Sequence, residues 1–116
     1  MKIKNLSEIS PQIFDSDTAK GVQKWVLLSE DDGAPNFRMR LFEIAPDGFS
    51  PYHQHNYEHE VYILEGQGEL VGEKERQAFS EGQAVIVLPN EWHQFRNTGT
   101  APLKFICIIP IVEEVS

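Results

Sequence analysis

The sequence predicts a single all-β domain, a sandwich or barrel of short strands. Three observations predict it. Eight glycines and seven prolines punctuate the 116 residues at short intervals, and little helical periodicity survives between them. The runs between these punctuation marks are rich in β-branched and aromatic residues. Several of those runs are apolar on both faces, as strands of a closed structure are.

Taken in order, Ser10-Pro11 offers the one helix signal, a single turn near Gln12–Phe14 with proline at its first position. Val22–Ser29 reads as a strand closed by the turn Asp31-Asp32-Gly33. Phe37–Ile44 follows and ends at Pro46-Asp47-Gly48. Val61–Leu64 ends at Glu65-Gly66. Glu69–Gly72 is short and is expected at a sheet edge. Ala84–Leu88 has no polar side and ends at Pro89-Asn90. Leu103–Ile109 ends at Pro110. If Lys104 faces outward, Leu103, Phe105, Cys107 and Ile109 face inward by the period of two. Ile106 and Ile108 then share an outer face that needs a cover. A second copy of the chain is the expected cover, making a homodimer; the alternative is the first 30 residues folding back over their own barrel.

Size and charge narrow the function. A chain of this length hides roughly two thirds of its unfolded surface, enough for a core without disulfides. With 10 Lys and Arg against 18 Asp and Glu, the net charge is −8. No basic patch offsets it, so nucleic acid and anionic membrane surfaces are poor partners. The single cysteine, Cys107, excludes an intrachain disulfide and fits a reducing cytoplasm. The first residues lack the apolar stretch of a signal peptide, and the longest clean apolar run, 105–109, falls far short of the ~20 residues of a membrane span.

All four histidines fall in two short segments, His53-Gln-His55-Asn-Tyr-Glu-His59 and His93. Residues i and i+2 of an extended segment project to the same side, so His53 and His55 can address one point. His59 keeps the same parity and can come from a neighbouring strand. His93 follows the Pro89–Trp92 turn. Such clustered imidazoles make a nitrogen-rich site for a divalent transition metal; isolated, each histidine would read as a surface or core residue.

At these residues the chain resembles the cupin superfamily. Its first motif, G-x5-H-x-H-x3,4-E-x6-G, is matched by His53-x-His55, then His59 and Gly66. His59 stands where glutamate is usual, and Asp47 occupies the place of the leading glycine, with Gly48 one residue on. The second motif, G-x5-P-x-G-x2-H-x3-N, is matched by Gly82, His93 and Asn97. Proline is displaced to Pro89 and Asn90 replaces glycine, a mild change because asparagine tolerates left-handed backbone angles. The resemblance spans about residues 35 to 110 and is narrower still with small single-domain cupins carrying four histidines. It implies a double-stranded β-helix (jelly roll), commonly dimeric with exchanged N-terminal strands. Residues 1–34 would be N-terminal strands and arm with the dimer contacts, and 35–112 the barrel, together one domain. It further implies one divalent metal per chain (Mn, Fe, Ni, Cu or Zn) held by His53, His55, His59 and His93.

Four neutral imidazoles leave a divalent ion its full charge, and two open octahedral positions suit a chelating substrate or substrate with dioxygen. By parity, Phe105, Cys107 and Ile109 are candidate pocket lining. Arg40 or Arg38 is a candidate anchor for a substrate carboxylate, and Trp92, with Tyr52 and Tyr57, a candidate mouth. Glu60 is a candidate partner for the imidazoles from behind the metal. No histidine is left to serve a serine nucleophile, and no glycine loop has phosphate-binding spacing. The resulting expectation is a metal-dependent, dioxygenase-like oxidoreductase acting on a small organic molecule. The alternatives are a non-redox isomerase or lyase and a non-catalytic small-ligand binder, because this fold hosts many functions.

Overall fold

A computed structural model describes residues 1–112. Nine strands account for nearly all of its regular structure: β1 (Gln12–Phe14), β2 (Lys20–Leu28), β3 (Phe37–Phe49), β4 (His59–Glu65), β5 (Gln67–Val71), β6 (Arg76–Ser80), β7 (Ala84–Val87), β8 (Gln94–Asn97) and β9 (Leu103–Pro110). Two single-turn 3-10 helices, Leu6–Glu8 and Glu30–Asp32, complete it. The strands form one curled sheet in the order β6-β5-β8-β3-β9-β4-β7, with β2 also on β3 and β1 on β2. All pairings are antiparallel. This is an all-β cupin-type barrel.

Its inside follows from alternation. Leu103, Phe105, Cys107 and Ile109 of β9 are buried, while Lys104 turns outward toward Glu43 (3.8 Å) and Glu65 (3.5 Å). Ile44 of β3 sits directly between Val22 of β2 and Leu103 of β9, and all three are buried. Asn97 closes the loop after β8. Its amide donates to the carbonyls of Ile44 and Ala101, both at 2.9 Å, and its carbonyl oxygen accepts from Gly99 N–H.

Four local expectations change. Gln12–Phe14 is a strand, not a helical turn: its backbone groups pair with Val22–Lys24, and three residues cannot outweigh that with an isolated turn. The expected turn at Pro46-Asp47-Gly48 lies inside β3. Between the pairs Lys20↔Phe49 and Val22↔Ile44, β3 spends several more residues than β2, so the turn residues form a bulge that bends the strand. Asp47 takes a left-handed φ of 67° there. A Cβ on Gly48 would lie 2.5 Å from the Lys20 carbonyl oxygen, which is why glycine stands at this crossing. β5 is internal, between β6 and β8. β6 and β8 were not foreseen, because Arg76-Gln-Ala-Phe-Ser80 and Gln94-Phe-Arg-Asn97 each carry one large apolar residue.

Candidate metal centre

The histidines are placed by the open end of the barrel. His53 and His55 lie in the connection from β3 to β4, His59 opens β4, and His93 directly precedes β8. His53 and His93 form an isolated antiparallel bridge, so their side chains share a face. The Asn90 N–H donates to the His55 carbonyl at 2.6 Å, fastening the turn before His93 to the first segment. Asn90 makes that turn with φ of 67°, the left-handed angle expected of an asparagine replacing glycine.

One nitrogen from each of His53, His55 and His93 can lie within 4.8 Å of the others, close enough to share one ion. His59 stands beside them, its ring centroid 5.1 Å from His55 and 4.9 Å from His93. The carbonyl of Glu91, 2.9 Å from His93 Nδ1, accepts that nitrogen's proton and leaves Nε2 as the donor for a metal. His59 Nδ1 lies 3.4 Å from Cys107 Sγ. His59 Nε2 is buried with no hydrogen-bond partner. An imidazole nitrogen left so costs roughly 1–3 kcal/mol, and a cation at this point would satisfy it. The nitrogen-only donors therefore fit a borderline transition metal, and the histidines close enough together to share one are three, His53, His55 and His93, with His59 beside them.

Electrostatics agree. Burial pushes His53 down to about 3, helped by His93, His55 and Arg40 nearby. Burial likewise holds His59 at about 2, with His93 and Arg40 contributing. His93 is lowered by burial against the opposing pull of the Glu91 carbonyl. All three are neutral at pH 7, the state in which imidazole is a ligand.

Beside the histidines lies a cavity of about 430 Å³. Of the sequence-predicted lining, Arg40, Phe105 and Cys107 border it. Arg40 is buried; its Nη2 donates to Cys107 Sγ at 3.0 Å and its guanidinium lies 5.0 Å from the Phe42 ring. Three candidates are placed elsewhere. Ile109 faces inward but is packed in the core, away from the cavity wall. Trp92 does not line the cavity; it is partly exposed and stacked on Tyr52 at 5.2 Å. Glu60 alternates with His59 and Val61 on β4, so its exposed side chain faces the opposite way and cannot support an imidazole. Arg38 is outside as well, paired with Glu30 at 2.8 Å. Tyr57 is inside, its ring parallel to His55 at 4.9 Å.

Sequence reasoning passed over Lys24 and the segment around Phe14 and Asp15, which also line the cavity. Lys24 could have been found: it shares the parity of Val22 in β2. The N-terminal residues carry no comparable signal, since their place depends on β1 pairing.

Residues 40–109 match the cupin domain family model, which covers both motifs and every histidine. The chain belongs to the cupin family. This cupin is 32% identical over 71 residues to the 1-methylthio-D-xylulose 5-phosphate methylsulfurylase of Rhodospirillum rubrum, covering 61% of the chain and 46% of that protein. The chain spans about half the length of the curated relatives it matches. In structure it is similar to the polyketide cyclase RemF of Streptomyces resistomycificus (TM-score 0.87, 27% identity, covering 100% of this chain and 87% of that one). It is also similar to a predicted oxalate decarboxylase of Thermotoga maritima (TM-score 0.83, 25% identity, covering 96% and 100%).

Proposed function

We propose that this cupin is a metal-dependent enzyme that activates a small organic molecule inside the barrel by Lewis-acid chemistry. The carrying observation is the convergence of His53, His55 and His93, with His59 alongside, next to a cavity walled by Phe42, Phe95 and Phe105. A divalent ion held by these neutral side chains keeps its full charge and would polarise a bound carbonyl or hydroxyl oxygen. The rest falls to the chain. Phe42 stacks on Phe105 at 5.2 Å, and Phe105 on Phe95 at 4.8 Å, closing the floor against water. Arg40 supplies a fixed positive charge on the side wall. Asp15 is the carboxylate that lines the cavity among the described residues, and so the candidate to hold or move a proton at the rim.

The oxidative, dioxygenase-like reading is the second. The same donors accept iron or copper. Against it stands Cys107, whose thiol is within 3.4 Å of His59 and exposed to oxidation by any activated oxygen formed there. The relatives named as a methylsulfurylase and a polyketide cyclase support chemistry on organic substrates.

Metal content decides first, measured on tag-free protein beside a His59→Ala variant. About one ion per chain, lost or weakened in the variant, supports a four-histidine centre. No ion after reconstitution overturns the metalloenzyme and leaves a ligand-binding barrel. Oxygen uptake then separates the two chemistries: turnover with zinc and without oxygen supports the first, and oxygen-dependent turnover with iron or copper the second.

A second copy of the chain is the proposed cover for the outer sheet face. The cross-strand register sets Ile86, Glu60, Ile108, Met39 and Leu28 in one row and Ala84, Tyr62, Ile106 and Leu41 in the next. Tyr62 and Ile86 are 50% and 54% exposed. Of the N-terminal segment, Ile13 to Ser16, Thr18 and Ala19 border the cavity, while Lys2 and Lys4 bond Asp32.

A further inference from the structure

We propose that the barrel's ligand is a small neutral aromatic molecule, its ring held against Phe14 and Phe42 and its carbonyl or hydroxyl oxygen toward the histidines. This names the substrate class of the site above; only the direction of the oxygen rests on the metal-centre reading.

The placement comes from strand register. Phe14 of β1 lies opposite the buried Val22 of β2, and Phe42 of β3 is two residues from the buried Ile44. Both rings therefore face inward by the period of two, and both line the cavity. Each packs on the core yet is only partly buried, so each keeps apolar surface that a ligand gains by covering. Phe14 also lies outside residues 40–109, the part shared with the cupin family model. The β1–β2 hairpin thus adds this chain's own wall to a common barrel, which makes Phe14 the specificity-determining ring.

The polar groups of the wall are engaged within the protein. Asp15 accepts a hydrogen bond from Gly21 N–H at 3.3 Å. The Ser16 and Thr18 hydroxyls bond each other at 3.2 Å. Ser50 Oγ accepts from Phe95 N–H at 2.8 Å. Lys24 lays its ammonium over the Phe14 ring at 5.8 Å, and Arg40 donates to Cys107 Sγ at 3.0 Å. A strongly polar or charged ligand would have to share or displace these contacts, whereas a neutral ring disturbs none of them. At the histidine end, His59 Nε2 is buried with no hydrogen-bond partner, so the polar end of the ligand belongs there.

Aromatic character follows from the rings opposite. Phe105 stacks on Phe42 at 5.2 Å and 17°, and on Phe95 at 4.8 Å and 28°. Rings stacked in this way spend their faces on one another and present their edges. A ring's edge is positive and its face negative, so the complement of these edges is an aromatic face, which a saturated ring lacks. The cavity of about 430 Å³ holds on the order of a dozen water-sized groups at ~30 Å³ each, enough for one substituted ring.

The test is titration of acetophenone, its saturated counterpart cyclohexyl methyl ketone, and benzoate, followed by saturation-transfer and amide-shift NMR. All three are compared in the chelated full chain, with metal uptake measured in parallel, and again in Phe14→Ala and Phe14→Leu, each checked for folding by circular dichroism. Acetophenone is expected to bind in the millimolar range with the strongest transfer to its ring, and the other two several-fold more weakly. Phe14→Ala should weaken acetophenone roughly tenfold and Phe14→Leu about threefold. Should Phe14→Ala lose its fold, Phe14→Leu decides, because it keeps an apolar side chain and drops the ring. Acetophenone affinity that is absent from the parent, or unchanged in Phe14→Leu, overturns the inference. So does equal or tighter binding of cyclohexyl methyl ketone or benzoate. Metal uptake without acetophenone binding overturns it while leaving the metal centre intact. Acetophenone binding that depends on Phe14 in a protein that takes up no metal supports it while removing the metal reading.

Discussion

Cys107 Sγ lies between two cavity side chains, 3.0 Å from Arg40 Nη2 and 3.4 Å from His59 Nδ1. A thiol so placed can accept the His59 Nδ1 proton and leave Nε2 facing the other imidazoles. Cys107→Ala should therefore weaken metal binding by roughly tenfold, within the range for loss of a group behind a ligand. It should cost only about 1 kcal/mol of stability. Competition with a chromogenic chelator, beside thermal melts, measures both. Unchanged affinity would make Cys107 simple packing.

Removing a donor should cost more. His93→Ala and His53→Ala are expected to lose metal by more than about 100-fold, beyond what outer-shell substitutions cost. Both should keep the far-UV spectrum of the parent, since the paired backbone groups remain. Retained stoichiometric metal in His93→Ala would overturn the assignment of that donor.

The metal-free protein should lose stability on acidification. The unfolded chain takes up imidazole protons near pH 6.5, whereas folded His53 resists protonation until about 3 and His59 until about 2. The unfolded state therefore binds more protons below pH 6.5, and stability falls from there toward pH 3; above about pH 7 these groups contribute no slope. Melting temperatures of chelated protein at pH 7.5, 5.5 and 4.5 test this. His53→Gln should flatten the trend, and no change across the series would contradict buried neutral imidazoles.

Gly48 and Asn97 guard the barrel wall. Gly48→Ala drives a Cβ against the Lys20 carbonyl and should cost roughly 1–3 kcal/mol. Asn97→Ala leaves two carbonyls and one N–H without their partner and should cost about 2–4 kcal/mol. The melting temperature should drop on the order of 10 °C, while metal stoichiometry is unaffected at 20 °C. A melt like the parent's for either variant would refute the corresponding contact.

Light scattering should give twice the chain mass for the parent and the chain mass for Ile86→Arg, if a second copy covers the outer face. A monomeric parent would end that proposal.

Much of this was readable beforehand, for identifiable reasons. β9 could be read residue by residue because one charge, Lys104, fixes the parity of a whole apolar strand. The histidine cluster was legible because the donors occupy two short segments with fixed spacing. β6 and β8 were hidden because an isolated Phe79 or Phe95 between polar neighbours gives no periodic signal. The bulge in β3 was read as a turn because Pro46-Asp47-Gly48 has turn chemistry; only its pairing with β2 shows that the strand continues. Glu60 looked useful from proximity in sequence, although alternation sends it away from His59. Lys24 was overlooked although its parity with the buried Val22 points it inward, because a lone lysine in a strand carries no sign of the cavity behind it.

The bridge between His53 and His93 also bears on how the protein comes into being. It joins positions about 40 residues apart, outside any longer ladder, and such distant pairings are slow because loop closure precedes their reward. The nascent chain carries His53, His55 and His59 as a local cluster from the start, whereas His93 arrives only when the barrel mouth closes. Occupancy of the proposed centre by a metal would thus mark completed folding, and the rate of metal uptake during refolding is expected to report on that last step.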